Sequence, residues 1–328
     1  MSARAQSAVS LRLRNEKMMQ PATNILDAIG NTPIVQLTKV VPPNCARVLA
    51  KLEWANPTGS MKDRMAKAII DAAARDGRLS PGGTVVEYTA GTTGVSLALA
   101  CAARGYAFHA VFSDAFSDEK RYTMRAFGAR ITDVASDNKQ INEKLIKAMI
   151  ETARTLSAEP GHWWVDQLNN ADGETGYYSL GEEIWTQTGG QLDAFVQAVA
   201  TAHSIHGVTH ALWQHRRDIQ VFAVEPAESA VLSGQPSGSH KIEGIGIGFL
   251  PPLWKPQMVN EILTVSTEQA KAMARRLARE EGIFAGTSSG ANVVAALRVA
   301  ERLGRDATVV TLVVDSGLRY LSTDVYRQ

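Results

Sequence analysis

The sequence predicts an α/β fold in which parallel sheets are wound on both faces by helices and divided between two lobes. Short apolar segments alternate with helix-like ones, and turn signals such as Pro81-Gly82-Gly83 separate them. Strands buried on both faces of a parallel sheet read as unbroken apolar runs, because helices cover both sides. A length of 328 residues exceeds what one such core ordinarily needs, so two linked lobes with a cleft between them are expected.

The strand candidates are 47–53, 84–88, 107–112, 194–199, 220–224 and 308–314, each short and rich in Val, Leu or Phe. Helix candidates occupy 63–75, 93–104, 118–127, 142–156, 268–281 and 291–303. There is no internal repeat and no low-complexity tract.

Composition narrows the function. The chain is 45% hydrophobic and 20% charged, with a formal net charge of +1. No basic excess suggests nucleic acid, and no acidic tail suggests a solvating segment. Cys45 and Cys101 cannot form a disulfide framework and are not spaced as a zinc site, so a reducing, cytoplasmic setting is expected. Residues 1–22 carry Arg4, Arg12, Arg14 and Lys17 without the apolar stretch of a secretion signal, and are expected to be a flexible extension. No apolar run is long enough to span a membrane.

Asn56-Pro57-Thr58-Gly59-Ser60-Met61-Lys62-Asp63-Arg64 follows the first strand and opens a helix. Ser60 and Asp63 have capping-box spacing, which places the helix start there and Lys62 in its first turn. The positive end of the helix dipole opposes a second positive charge and so lowers the lysine pKa. Such a lysine is a better nucleophile toward an aldehyde. Taken alone, the segment reads better as an exposed lysine on a helix surface.

The nonapeptide closely resembles the cofactor-lysine motif of the fold-type II (tryptophan-synthase β-like) pyridoxal-phosphate (PLP) enzymes. That family contains cysteine synthases, cystathionine β-synthases and threonine synthases. The similarity runs from about Ile25 to Tyr326. It includes Ile29-Gly30-Asn31-Thr32-Pro33, Glu225-Pro226-Ala227-Glu228-Ser229-Ala230-Val231-Leu232-Ser233-Gly234 and Asp315-Ser316-Gly317-Leu318-Arg319-Tyr320-Leu321-Ser322-Thr323. The last two resemble the cysteine-synthase and cystathionine-synthase branch. The resemblance implies a catalytic unit over 23–328, with a smaller lobe over roughly 58–165 inserted in the larger. It also implies PLP carried on Lys62 and a homodimer.

Thr89-Ala90-Gly91-Thr92-Thr93-Gly94 lies between a strand and a helix, where small residues expose backbone N–H groups to an anion. A capping turn without a ligand would look similar. By resemblance the anion is the substrate α-carboxylate, bound by Thr89, Ala90, Gly91 and Thr93 with Gln167, and Gly244 lines the substrate cleft. The family motif is Thr-Ser-Gly-Asn-Thr-Gly. Ala90 replaces its Ser, and Thr92 replaces the Asn that contacts the cofactor's 3′-oxygen, leaving one donor there. Ser316 matches the serine on the pyridine nitrogen; a neutral hydroxyl makes the ring a milder electron sink, which suits α,β-elimination through an aminoacrylate.

The family phosphate loop is Gly-Thr-Gly-Gly-Thr, and here it reads Ala200-Thr201-Ala202-His203-Ser204. Both hydroxyl positions remain and all three glycines are gone. Backbone N–H donors do not depend on side-chain identity, and a helix from about Ser204 keeps its positive end, so PLP binding through this loop is expected. Alanine resists positive φ, so Ala200 and Ala202 are expected to avoid it. His203 is expected to turn outward to the surface.

Three rival motifs fail. Gly286-Thr287-Ser288-Ser289-Gly290 fits a nucleophile elbow, but no histidine follows it; by resemblance it is a turn opening a helix near the cofactor. His203, His206 and His210 share a helical face without a Cys or acidic residue at ligand spacing, so no metal is expected. Gly244-Ile245-Gly246-Ile247-Gly248 is followed by Pro251-Pro252, which cannot open a dinucleotide-binding helix.

The expected activity is PLP-dependent β-replacement on an O-activated serine-type amino acid, with sulfide or another small nucleophile adding to the β-carbon. The alternatives are β-elimination of the dehydratase or desulfhydrase type, and a non-catalytic protein kept for binding a partner. Lys62 and Ser316 speak against the last.

Overall fold

The computed structural model describes residues 21–327, so the expected extension over 1–22 lies almost wholly outside the described residues. The first half of the chain forms β1 (Ile34–Gln36), β2 (Arg47–Leu52), α1 (Lys62–Asp76), β3 (Thr84–Tyr88), α2 (Thr92–Arg104), β4 (Ala107–Ser113), α3 (Asp118–Ala126), β5 (Arg130–Val134), α4 (Glu143–Ser157) and β6 (His162–Trp164). The second half forms α5 (Asp172–Thr175), α6 (Tyr178–Thr188), β7 (Ala194–Ala198), α7 (His203–His215), β8 (Gln220–Pro226), β9 (Glu261–Val265), α8 (Thr267–Arg276), α9 (Thr287–Leu303) and β10 (Thr308–Val313).

The strands make two sheets. The larger runs β1-β2-β10-β7-β8-β9, parallel apart from the antiparallel edge strand β1. The smaller runs β5-β4-β3-β6, all parallel, and its strands lie between β2 and β7 in the chain. β10 is buried throughout, and its alternate residues enter opposite cores. Val309 and Val313 pack on one side of the sheet, and Val310 and Leu312 on the other. Parallel strands end at one edge of a sheet, so the loops after β2, β7 and β10 emerge together, as do those after β3 and β6. Crevices at that edge are where open α/β sheets bind ligands.

The start of α1 departs from expectation. Ser60 and Asp63 make no reciprocal capping box: the N-cap residue is Met61, with no side-chain cap. The Asp63 carboxylate instead accepts from Thr58 N–H (2.8 Å), Thr58 Oγ1 (2.5 Å) and Ser96 Oγ (2.6 Å). A true capping box forms at Ser266 and Gln269, opening α8. The expected helix over 268–281 is α8 followed by a π-helical turn, Leu277–Glu281.

In the first turn of α1, Arg64 is buried between two carboxylates, Glu53 (2.8 Å) and Glu183 (2.7 Å), and Glu183 also holds the buried Lys51 (2.7 Å). Removing one partner of a buried pair strands the others, at a cost of about 3–5 kcal/mol. Arg64→Ala should therefore lower unfolding stability by that amount in a urea titration. A loss below about 1 kcal/mol would contradict the role given to this network.

Candidate active site

Lys62 is the first residue of α1 and only 7% exposed. Its Nζ has no hydrogen bond or ion pair among the described residues. The other buried lysines each have a carboxylate: Lys51 has Glu183, Lys120 has Glu243 and Lys271 has Asp324. Burial lowers the Lys62 pKa to about 8, against the opposing pull of the Asp315 charge. Desolvation, not the helix dipole, is the leading cause.

Two adjoining cavities share Lys62, Thr92, Ala200, Thr201 and Gly244. The first is completed by Gln197, Ala202, Ser204, Ser288 and Asp315. Here α7 begins without a side-chain cap. Its first chain-closing bond runs from His206 N–H to the Ala202 carbonyl, and the N–H groups of His203, Ser204 and Ile205 have no acceptor among the described residues. Gln197 donates weakly to Ser204 Oγ (3.3 Å) and accepts from Asn292, whose amide also bonds β7 and β10. The Asp315 Oδ2 accepts from the Tyr320 hydroxyl (2.8 Å), while its buried Oδ1 has no partner among the described residues. Burial raises the Asp315 pKa, opposed by Arg319 and Lys120.

Two expectations for this region are corrected, and Ser316 is found away from both cavities. Ala202 does adopt positive φ, at +73°, because the chain must turn sharply from β7 into α7. For an alanine that geometry costs about 1–2 kcal/mol. His203 does not turn outward and does not line either cavity. It is 1% exposed, between the Asn170 carbonyl and the Thr201 hydroxyl (2.9 Å each). Burial pushes its pKa down to about 3, so the ring is neutral. Ser316 lines neither cavity: its Oγ accepts from Leu318 N–H (3.2 Å) and caps a short turn. Ser288, in the uncapped first turn of α9, lines the first cavity. The Gly286–Gly290 motif carried that signal.

The second cavity holds Tyr88, Ala90, Thr93 and Gln167, with an apolar wall that includes Phe116, Ile141, Ile146 and Ile247. Thr89 and Gly91 do not reach it. The Thr89 hydroxyl oxygen accepts from Gly91 N–H and Gly94 N–H (2.9 Å each) and so shapes the loop from within. Gly91 has φ +111°, and the Lys120 stem occupies the space a Cβ would need. Gln167 is fixed by Thr93 Oγ1 donating to its Oε1, its Nε2 donating to the Tyr88 carbonyl (3.0 Å each) and its N–H donating to Glu87 (3.1 Å). Burial raises the Glu87 pKa well above the usual carboxylate range. Gly244 lines both cavities. His203, His206 and His210 turn to different partners: His206 Nε2 accepts from Lys255 N–H (3.3 Å), and His210 stacks on Tyr178.

PLP needs an amine for its aldehyde and a set of N–H and O–H donors for its phosphate. Here an unpaired amine and an uncapped helix start with the Ser204 hydroxyl line one cavity, so the donor set fits the group. The fold and site together define a PLP enzyme, and a family model described as "Pyridoxal-phosphate dependent enzyme" matches residues 25–315. The chain belongs to that family, and its cofactor is pyridoxal 5′-phosphate. A cysteine synthase of Staphylococcus aureus is 40% identical over 309 residues, covering 94% of this chain and 98% of that protein. O-acetylserine sulfhydrylase isoform 3 from Entamoeba histolytica superposes with a TM-score of 0.87 at 39% identity, covering 94% and 93% of the two chains. O-acetylserine dependent cystathionine β-synthase from Helicobacter pylori superposes at 0.88 with 34% identity, covering 94% and 100%. O-ureido-L-serine synthase superposes at 0.87 with 35% identity, covering 94% and 96%.

The Lys62 shift has a testable sign. The neutral amine is the reactive form, and an ordinary lysine is neutral only above about pH 10.4. The rate at which PLP-free protein takes up the cofactor, followed by absorbance, should rise with pH through a midpoint near 8 and then level off. A rise continuing to pH 10 would contradict the burial of Lys62.

Proposed function

We propose that the protein catalyses β-replacement on an O-activated serine-type amino acid, with sulfide or another small nucleophile as second substrate. One observation carries the reading: the buried lysine left without a carboxylate lines a cavity whose two ends present separate donor sets. The cysteine synthase and O-acetylserine sulfhydrylase relatives support the substrate class.

PLP, when bound, supplies the electron sink that loosens the bonds at the substrate α-carbon. The rest falls to this chain's residues. Lys62 Nζ holds the cofactor and, once displaced by the substrate amine, takes the α-proton; a pKa of about 8 leaves it the basicity to do so. The backbone N–H groups of Ala90, Thr92 and Thr93, with Gln167, would take the substrate carboxylate, since those of Gly91 and Gly94 are held by Thr89. The start of α7 and the Ser204 hydroxyl take the phosphate. Ser288 would take the ring nitrogen, and Thr92 would lie toward the ring oxygen. The apolar wall limits water at the β-carbon, so that water competes less there with the added nucleophile.

We also propose a homodimer, in keeping with the 47% exposure of Ile25. A cytoplasmic setting accords with the two free cysteines. No helix among the described residues is long and apolar enough to cross a membrane.

Lys62→Ala should cut turnover of O-acetylserine and sulfide by at least about 10³-fold, since it removes both the cofactor's attachment and the base. Near wild-type turnover would overturn the assignment. Ser288→Ala should lower turnover about tenfold, the worth of one good hydrogen bond, while Ser316→Ala stays within about twofold. The reverse order would restore Ser316 to the ring nitrogen. Pyruvate release at full rate without a nucleophile would support elimination. Light scattering should give the mass of two chains; the mass of one would remove the dimer.

A further inference from the structure

Two hydrogen bonds and one absent side chain tie the start of α7 to the segment that carries Gln167. His203 Nε2 lies 2.9 Å from the Asn170 carbonyl oxygen, and Nδ1 lies 2.9 Å from Thr201 Oγ1. A carbonyl only accepts, so the proton is on Nε2, and Nδ1 accepts the Thr201 hydroxyl proton. Burial keeps the ring neutral, and the charge on Lys62 adds to that. Gly173 provides the room: a Cβ there would lie 2.9 Å from both Cε1 and Nδ1 of the ring. On the other side, Asn170 closes the turn that follows Gln167. Its N–H donates to the Asp166 carbonyl (2.9 Å) and its Nδ2 donates to the Val165 carbonyl (3.0 Å).

We infer that His203 is a positioning residue that couples the turn at residues 200–204 to Gln167, so that the cofactor phosphate and the substrate carboxylate are held by one rigid unit. The inference rests on the site assignment proposed above. It has a consequence for the donors. The Thr201 hydroxyl proton is committed to His203, whereas Ser204 Oγ accepts from Gln197 and keeps its own proton. Ser204 is therefore the side-chain donor left for the phosphate. The left-handed φ of Ala202, next to His203, is held in place by these two bonds.

Two variants separate the bonds. His203→Gln places an amide N–H where Nε2–H lies and keeps the bond to Asn170, but removes the acceptor for Thr201. His203→Asn keeps an acceptor near Thr201 and removes the tether. For each, PLP affinity is measured by absorbance titration of the PLP-free protein, O-acetylserine affinity by the spectral change of the loaded protein, and amide hydrogen exchange over residues 166–170. His203→Asn should weaken amino-acid binding about tenfold and speed exchange over 166–170. His203→Gln should leave both within about threefold of wild type. Wild-type binding and exchange in His203→Asn would overturn the inference. So would loss of cooperative melting in both variants, which would make His203 a packing residue. Ser204→Ala reports on the loop separately: unchanged PLP affinity there would remove the phosphate assignment, whatever His203 does.

Discussion

Lys62, Asp63 and Arg64 follow one another at the start of α1, and all three are buried. Burying a charge costs several kcal/mol unless it is paired. Asp63 is satisfied by Thr58 and Ser96, and Arg64 by Glu53 and Glu183. Lys62 has no such partner, and its pKa drops instead. The two neighbours fix the helix start, and the Lys62 amine has no carboxylate within ion-pair distance among the described residues. Thr58 also receives Arg319, which pins the segment after β10 to the same turn. The reactivity of one residue thus depends on the complete pairing of the next two.

Strand direction does the rest. Parallel pairing brings the loops after β2, β7 and β10 to one edge of the larger sheet, and those after β3 and β6 to one edge of the smaller. Each loop contributes to the cavity lining: Lys62 after β2, Ala90, Thr92 and Thr93 after β3, Gln167 after β6, the uncapped start of α7 after β7 and Asp315 after β10. The buried Lys120 on α3 ties these parts together. It pairs with Glu243 (2.5 Å), lies over the Tyr320 ring and fills the space beside Gly91. No single element builds the cavity, so its geometry depends on packing between the two sheets.

The sequence made the centre of the fold legible and its margins obscure. The expected strands correspond to β2, β3, β4, β7, β8 and β10, which have a neighbour on both sides and read as apolar runs. The four not foreseen, β1, β5, β6 and β9, are the sheet edges. There one side lacks a partner and burial is incomplete, as in β5, so the apolar signal breaks up. The site divides in the same way. Lys62 stands in a segment that resembles a known motif throughout, whereas the neighbours of Gln167 match the family less well. Ser288 stands in a motif that reads as a turn opening a helix, and Ser316 draws attention because it matches the family's serine, although a serine just after a strand can equally cap a turn, as it does here. His203 was unreadable for a different reason: its position depends on Gly173 and Asn170, about thirty residues away, and on an alanine taking a left-handed φ that propensity argues against.

The central claim is that Lys62 alone among the buried lysines is free to hold the cofactor. Borohydride reduction of the PLP-loaded protein, followed by peptide mapping, tests it directly, because reduction makes the attachment permanent. The account predicts that the cofactor mass is found on the peptide containing Lys62, and that Lys51, Lys120 and Lys271 are unmodified. Attachment at any of those three, or none at Lys62 in protein that has bound PLP, would contradict it.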